Sequence, residues 1–155
     1  MKRAFWIIGG ILVIALVVIQ FFQSPKNTSQ GTYSNDLLVV SSNLEPELRE
    51  MIRNSCHDCH SNHTVYPWYG RIAPVSWMLS SHIREGKEHL NLSDWAALSD
   101  RKKISALQDM GEVVTRGEMP LKGYARLHKM ARLSADQKEL LIKWIDLETK
   151  RLMGE

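Results

Sequence analysis

From Ala4 to Phe22 the chain reads AFWIIGGILVIALVVIQFF, nineteen residues without a charge. At about 1.5 Å of rise per residue, a helix of that length covers roughly 28 Å, close to the hydrocarbon thickness of a bilayer. Lys2 and Arg3 precede the run. The positive-inside rule therefore puts the N-terminus in the cytoplasm and everything after Phe22 on the far side. Trp6 and the pair Phe21–Phe22 fall near the two ends, where aromatic side chains gather at membrane interfaces. The alternative is a cleavable signal peptide, whose apolar region is usually shorter and ends in a small-x-small site. Gln20-Phe21-Phe22-Gln23-Ser24-Pro25 offers no good site of that kind. Residues 1–22 are accordingly read as an uncleaved, single-pass anchor, and under either reading the remainder faces an oxidising compartment.

With 155 residues, the chain has room for one modest domain beside this appendage. Setting aside Lys2 and Arg3 leaves 18 of the 20 basic residues against 17 acidic ones, near neutrality. A nucleic-acid partner would call for a basic excess concentrated on one element, so none is expected. Two cysteines, three positions apart, cannot staple distant parts of a fold. Five tryptophans and seven methionines suit a core of large, polarizable side chains, and equally a flat apolar cofactor.

Residues 23–43 begin with QSPKNTSQGTYSN, a polar composition expected of a flexible tether, and continue into a short β-prone run over 36–42. Beyond it the patterns are helical. Residues 45–54 place Pro46 early and, with Leu44 just ahead, align Leu44, Leu48, Met51 and Ile52 in one stripe. Residues 74–89 start with a proline and carry Val75, Met78, Leu79, His82 and Ile83 at helical spacing. Ser93-Asp94-Trp95 is a helix start. Another helix begins at Ser99-Asp100, with Ile104, Leu107, Met110, Val113 and Val114 on its apolar face and Gly117 as its stop. Ser134-Ala135-Asp136-Gln137 fits a capping box ahead of the stripe Leu140, Leu141, Trp144, Ile145 and Leu152. The prediction is an all-α domain over 44–155.

Residues 56–60 read Cys-His-Asp-Cys-His. CxxCH is the attachment motif of c-type haem. On a helical turn, residues i and i+3 share a face, so both thiols can reach one edge of a porphyrin. His60, four positions after Cys56, can bring a ring nitrogen beneath the iron. Other readings compete for the same residues. A thioredoxin-like CxxC would follow a strand in a βαβ setting, which is not visible. Zinc could use Cys56, Cys59, His60 and His63, but structural zinc sites usually join two ligand pairs across a longer spacer.

A haem iron held by His60 has a sixth position. Most methionines here lie on apolar helical stripes, where they are core residues. Met119 differs, because Arg116-Gly117-Glu118-Met119-Pro120-Leu121 follows the end of a helix and Pro120 restricts the residue preceding it to extended geometry. Its separation from His60, 59 positions (119 − 60), is enough chain to pass around a haem. His82 and His128, or an open sixth position, are the alternatives; His57 and His63 lie too near the attachment turn. In Tyr66-Pro67-Trp68-Tyr69-Gly70-Arg71, Trp68 and Arg71 are candidate haem contacts, with a packed loop as the competing reading.

These stretches resemble a family of bacterial, membrane-attached, cytochrome c-like haem-binding domains. The resemblance rests on SCHDCHSNHTVYPWYGRIAPVSW, on the Leu92-Ser93-Asp94-Trp95 stretch, and on GEMPLKGYARLHKMARLSADQKELLIKW, together covering roughly 44–147. It implies a cytochrome c-like helical fold holding one covalent haem c through Cys56, Cys59 and His60, with Met119 as the distal ligand by analogy. A His/Met iron has no vacant position for substrate and a raised potential. One-electron transfer between redox partner proteins on the periplasmic side of a bacterial inner membrane is therefore the expected role, and no catalytic constellation accompanies it. A haem-based sensor with an exchangeable sixth ligand, and a zinc-binding interaction module, are the alternatives.

Overall fold

The fold follows from where the apolar stripes can meet. The computed structural model describes residues 2–29 and 33–155. Among them the chain is all-α: eight α-helices joined by short 3-10 and π turns, with one isolated antiparallel bridge, Thr28 to His63, and no strands. Helix α1, Lys2–Ile19, buries none of its residues and is long and apolar enough to cross a membrane.

The expected tether, 23–43, is laid against the domain at several points, and polar bonds hold it there. The Asn27 side-chain amide donates to the Ser61 carbonyl and to Thr64 Oγ1, and its backbone N–H donates to the Tyr66 hydroxyl. Positions 30–32 of that tether, like Met1 of the anchor, lie outside the described residues. The β-prone run becomes a short helix, α2 (Leu37–Val40), because Asp36 Oδ1 accepts the Leu38 N–H and caps it. Leu37 and Leu38 are buried in the main core, so the packed domain starts ahead of Leu44.

Helix α3, Pro46–Ile52, buries Leu48, Met51 and Ile52 as its stripe requires. It runs on through a π turn, Arg53–His57, into the short α4, Asp58–His60. Helix α5 spans Val75–His89, and α6 spans Asp100–Thr115 with Gly117 beyond it at φ 68°, the left-handed stop that glycine permits. The start expected near Ser93 is a 3-10 turn, Leu92–Ala97, that buries Trp95. A short helix, α7 (Lys122–Leu127), precedes α8, Ala135–Met153. The capping box of α8 is complete, Ser134 and Gln137 each bonding the other's backbone N–H.

The most extensive helix pairing is α6 against α8, where Leu107, Met110 and Val114 meet Leu141, Trp144 and Ile145. Two expected members of the α6 stripe fall outside that seam: Ile104 and Val113 are half-buried, and Val113 faces a cavity that Met110 and Val114 also line. Glu148 is buried at the other end of α8, with Asn43 donating to it and Arg151 clasping both its oxygens. A carboxylate can be enclosed this way because both of its oxygens find donors.

Candidate functional site

Between α5, α6 and the turn at 56–60 lies a cavity of about 570 Å³, walled mainly by apolar atoms. Cofactor sites commonly fall in this size range. Cys56 and His60 line it from the motif, His82 and His89 from α5, Met110 and Val113 from α6, and Met119 from the segment after α6. The structure thus brings four sequence candidates, Cys56, His60, Met119 and the alternative ligand His82, to one space. Cys59, Trp68 and Arg71 are not on its wall. Trp68 is 76% exposed, and Arg71 is also exposed.

Two contacts hold His60. Its Nδ1–H donates to the Leu90 carbonyl at 3.0 Å, which puts the proton on Nδ1 and leaves the Nε2 lone pair as the ring's donor. Burial lowers its pKa below the ordinary 6.5, against the opposing pull of the Leu90 and Gly86 carbonyls, so the ring is neutral and fit to ligate a metal. Gly86 lets α5 approach this closely. A Cβ at that position would stand 2.8 Å from the Cys59 carbonyl oxygen. Glycine costs about 1 kcal/mol inside a helix, and here it permits backbone to pack on backbone.

Both cysteines are free thiols. Burial, with a smaller contribution from Cys59, pushes the Cys56 thiol up to about 12. Burial and the charge of Asp58 push Cys59 up to about 11. Among the described residues, no three of His, Cys, Asp and Glu gather as a metal-binding group. A half-buried, neutral imidazole and a methionine thioether face one apolar cavity instead.

The two variable positions of the motif turn out to anchor it. His57 Nε2 pairs with Asp36 Oδ2 at 2.9 Å, and Asp36 also accepts from Ser93. Burial raises the Asp36 carboxyl, but hydrogen bonds from His57, the Leu38 N–H and Ser93 outweigh it, leaving the group below its ordinary 3.8. Asp58 accepts the Val65 N–H and the Tyr124 hydroxyl, while its backbone carbonyl accepts from Thr64. Burial and Asp58 hold the Tyr124 phenol far above its usual range, so it remains a donor. His128 is stacked on Tyr124 at 4.2 Å and hydrogen-bonded to Tyr69, away from the cavity wall.

The chain segment carrying Met119 is also held by backbone. The N–H groups of Glu118 and Met119 both reach the Val113 carbonyl, folding the chain back over the end of α6, and the Met119–Pro120 peptide is cis. Asp36, Asp58, Tyr124 and Leu90 carry no sequence signal of their own, because they act through contacts distant in the chain. Gly86 does carry one, since a glycine inside a helical pattern often marks a close approach.

No curated protein and no solved structure matches this chain. One family model does, described as the haem-binding domain, over residues 14–147. That match spans most of the sequence and takes in all of the cavity wall, and the chain belongs to the haem-binding domain family.

Proposed function

We propose that this protein is a membrane-anchored, mono-haem c-type cytochrome domain that carries single electrons on the periplasmic side of a bacterial inner membrane. The observation that carries the reading is His60 set at an apolar cavity with its Nδ1 proton committed to Leu90 and Met119 on the same wall. Cys56 and Cys59 would attach the group through thioethers, and His60 Nε2 and Met119 Sδ would be the iron's protein donors. When bound, haem supplies an iron that changes valence by one electron, at a potential raised by methionine ligation. The residues around it exclude water and hold the imidazole neutral and oriented. Redox partners at the membrane follow from the anchor, which would keep the domain near them at high effective concentration.

A second reading has its own support. His82 and His89 share the cavity wall with Met119, so an exchangeable sixth ligand, and with it a sensing role, is the competing assignment.

Expression of the full chain with the c-type maturation system, followed by a pyridine haemochrome spectrum, tests attachment; absence of covalent haem defeats the proposal. For the axial site, Met119→Ala should lose methionine-ligand spectral features and gain carbon monoxide binding in the reduced state. Ready binding by the reduced wild type would favour the sensor instead.

A further inference from the structure

Just beyond α1 the chain is fastened to the domain. Gln20 bonds Ala73 twice, its amide donating to the Ala73 carbonyl and its carbonyl accepting the Ala73 N–H. The indole N–H of Trp77 donates to the Phe22 carbonyl. The start of α5 is therefore held at the level where the apolar helix ends, and that stretch is unusually apolar for an outer surface. Ala73, Ser76 and Leu79 turn inward, leaving Ile72, Val75, Trp77 and Met78 between 37% and 56% exposed. Phe21 and Phe22 beside them are exposed as well.

We infer that this outward arc at the start of α5 is a membrane-contact surface, seated in the headgroup and upper acyl region of the same bilayer that α1 crosses. The inference rests on reading α1 as a membrane anchor. Continuity selects the occupant: Gln20 and Phe22 close the apolar run, so a surface bonded to both meets the interface if α1 spans it. The chemistry agrees, since indoles and large aliphatic groups are favoured at that depth, and exposed Arg71 stands ready for anionic headgroups. One consequence concerns the haem cavity. His82 and His89 lie roughly 10 and 20 Å along α5 from Val75, so the contact fixes the cavity close to the membrane surface instead of letting it swing on a tether.

The test uses the full, haem-loaded chain in phosphatidylethanolamine–phosphatidylglycerol vesicles containing lipids brominated high on the acyl chain. In a Trp6→Phe, Trp68→Phe background, Trp77 is the exposed indole, since Trp95 and Trp144 are buried. Its emission should fall with brominated lipid and resist aqueous iodide. Adding Val75→Asp and Met78→Asp should reverse both responses. A second protein, Trp68→Phe with Trp77→Phe, keeps Trp6 as a reporter of the anchor. Trp6 quenched by bromine while Trp77 answers only to iodide overturns the surface and leaves the anchor standing. Trp6 unaffected by bromine removes the anchor and the surface together. Trp77 shielded from both quenchers until the protein is diluted in lipid means that a second copy covers the arc, which also overturns the proposal.

Discussion

The α6–α8 seam and the limb that carries the CxxCH motif are built from opposite materials. The seam is apolar and regular: Leu107, Met110 and Val114 on one helix meet Leu141, Trp144 and Ile145 on the other. The limb is a π turn and a three-residue helix, tied down by Asp36–His57, Asp58–Tyr124 and the bonds from Asn27 to Ser61 and Thr64. Burial holds the seam without regard to direction, whereas each hydrogen bond of the limb also aims a group. A site that must present an imidazole in one orientation needs the second kind of construction, and a scaffold needs only the first. The π turn itself fits this division, since such turns occur often at functional sites.

The sharpest way to test the contrast is to damage each side in turn. Leu141→Ala empties a fully buried position in the seam and should cost about 2–5 kcal/mol, read by denaturant unfolding. Its haem spectrum should be unchanged; an altered axial spectrum would mean that seam and site are not separable. Gly86→Ala comes next, at about 1–3 kcal/mol, because the added methyl meets the Cys59 carbonyl and backbone must move. Unlike the seam variant, it should also lower the yield of covalent haem, measured as haem absorbance per protein.

Asp36→Asn should have the smallest effect near neutrality, about 1–2 kcal/mol, since the amide keeps some capping ability but loses the charge-assisted bond to His57. Its pH dependence is the more telling readout. A carboxyl held below its ordinary 3.8 stabilises the fold above that value, and the contribution is lost as pH falls through the lower, folded-state pKa. The gap between wild-type and variant thermal melts should therefore begin to narrow only as pH falls below about 3.8. A gap that persists to the acid end would show that Asp36 acts by shape and not by charge.

The elements legible in the sequence are those whose signal is local. The α8 capping box, the Gly117 stop and the α6 and α8 stripes all lie within a few turns of the residues they govern. The motif residues Cys56 and His60, and Met119 after its helix, are legible for the same reason, and all three reach the cavity. The stretch 23–43 misleads because polar composition reads as a tether, whereas here Asn27 and Asp36 bond to residues 21 or more positions away. Trp68 and Arg71 are candidates because an indole and a guanidinium suit a porphyrin and its propionates, and the 3-10 turn at 68–71 leaves both exposed.

What the sequence by itself determined is the inventory: one apolar helix, one CxxCH, an all-α domain and the haem-binding family to which it belongs. Periodicity and spacing are properties of neighbours along a chain, so they are complete in the order of its residues. The tertiary structure alone decided that Leu90 orients His60, that Gly86 lets α5 touch the motif, and that the start of α5 sits at the end of α1. Those are pairings between distant segments. They depend on how the stripes dock, and no local pattern encodes which carbonyl or which helix will arrive.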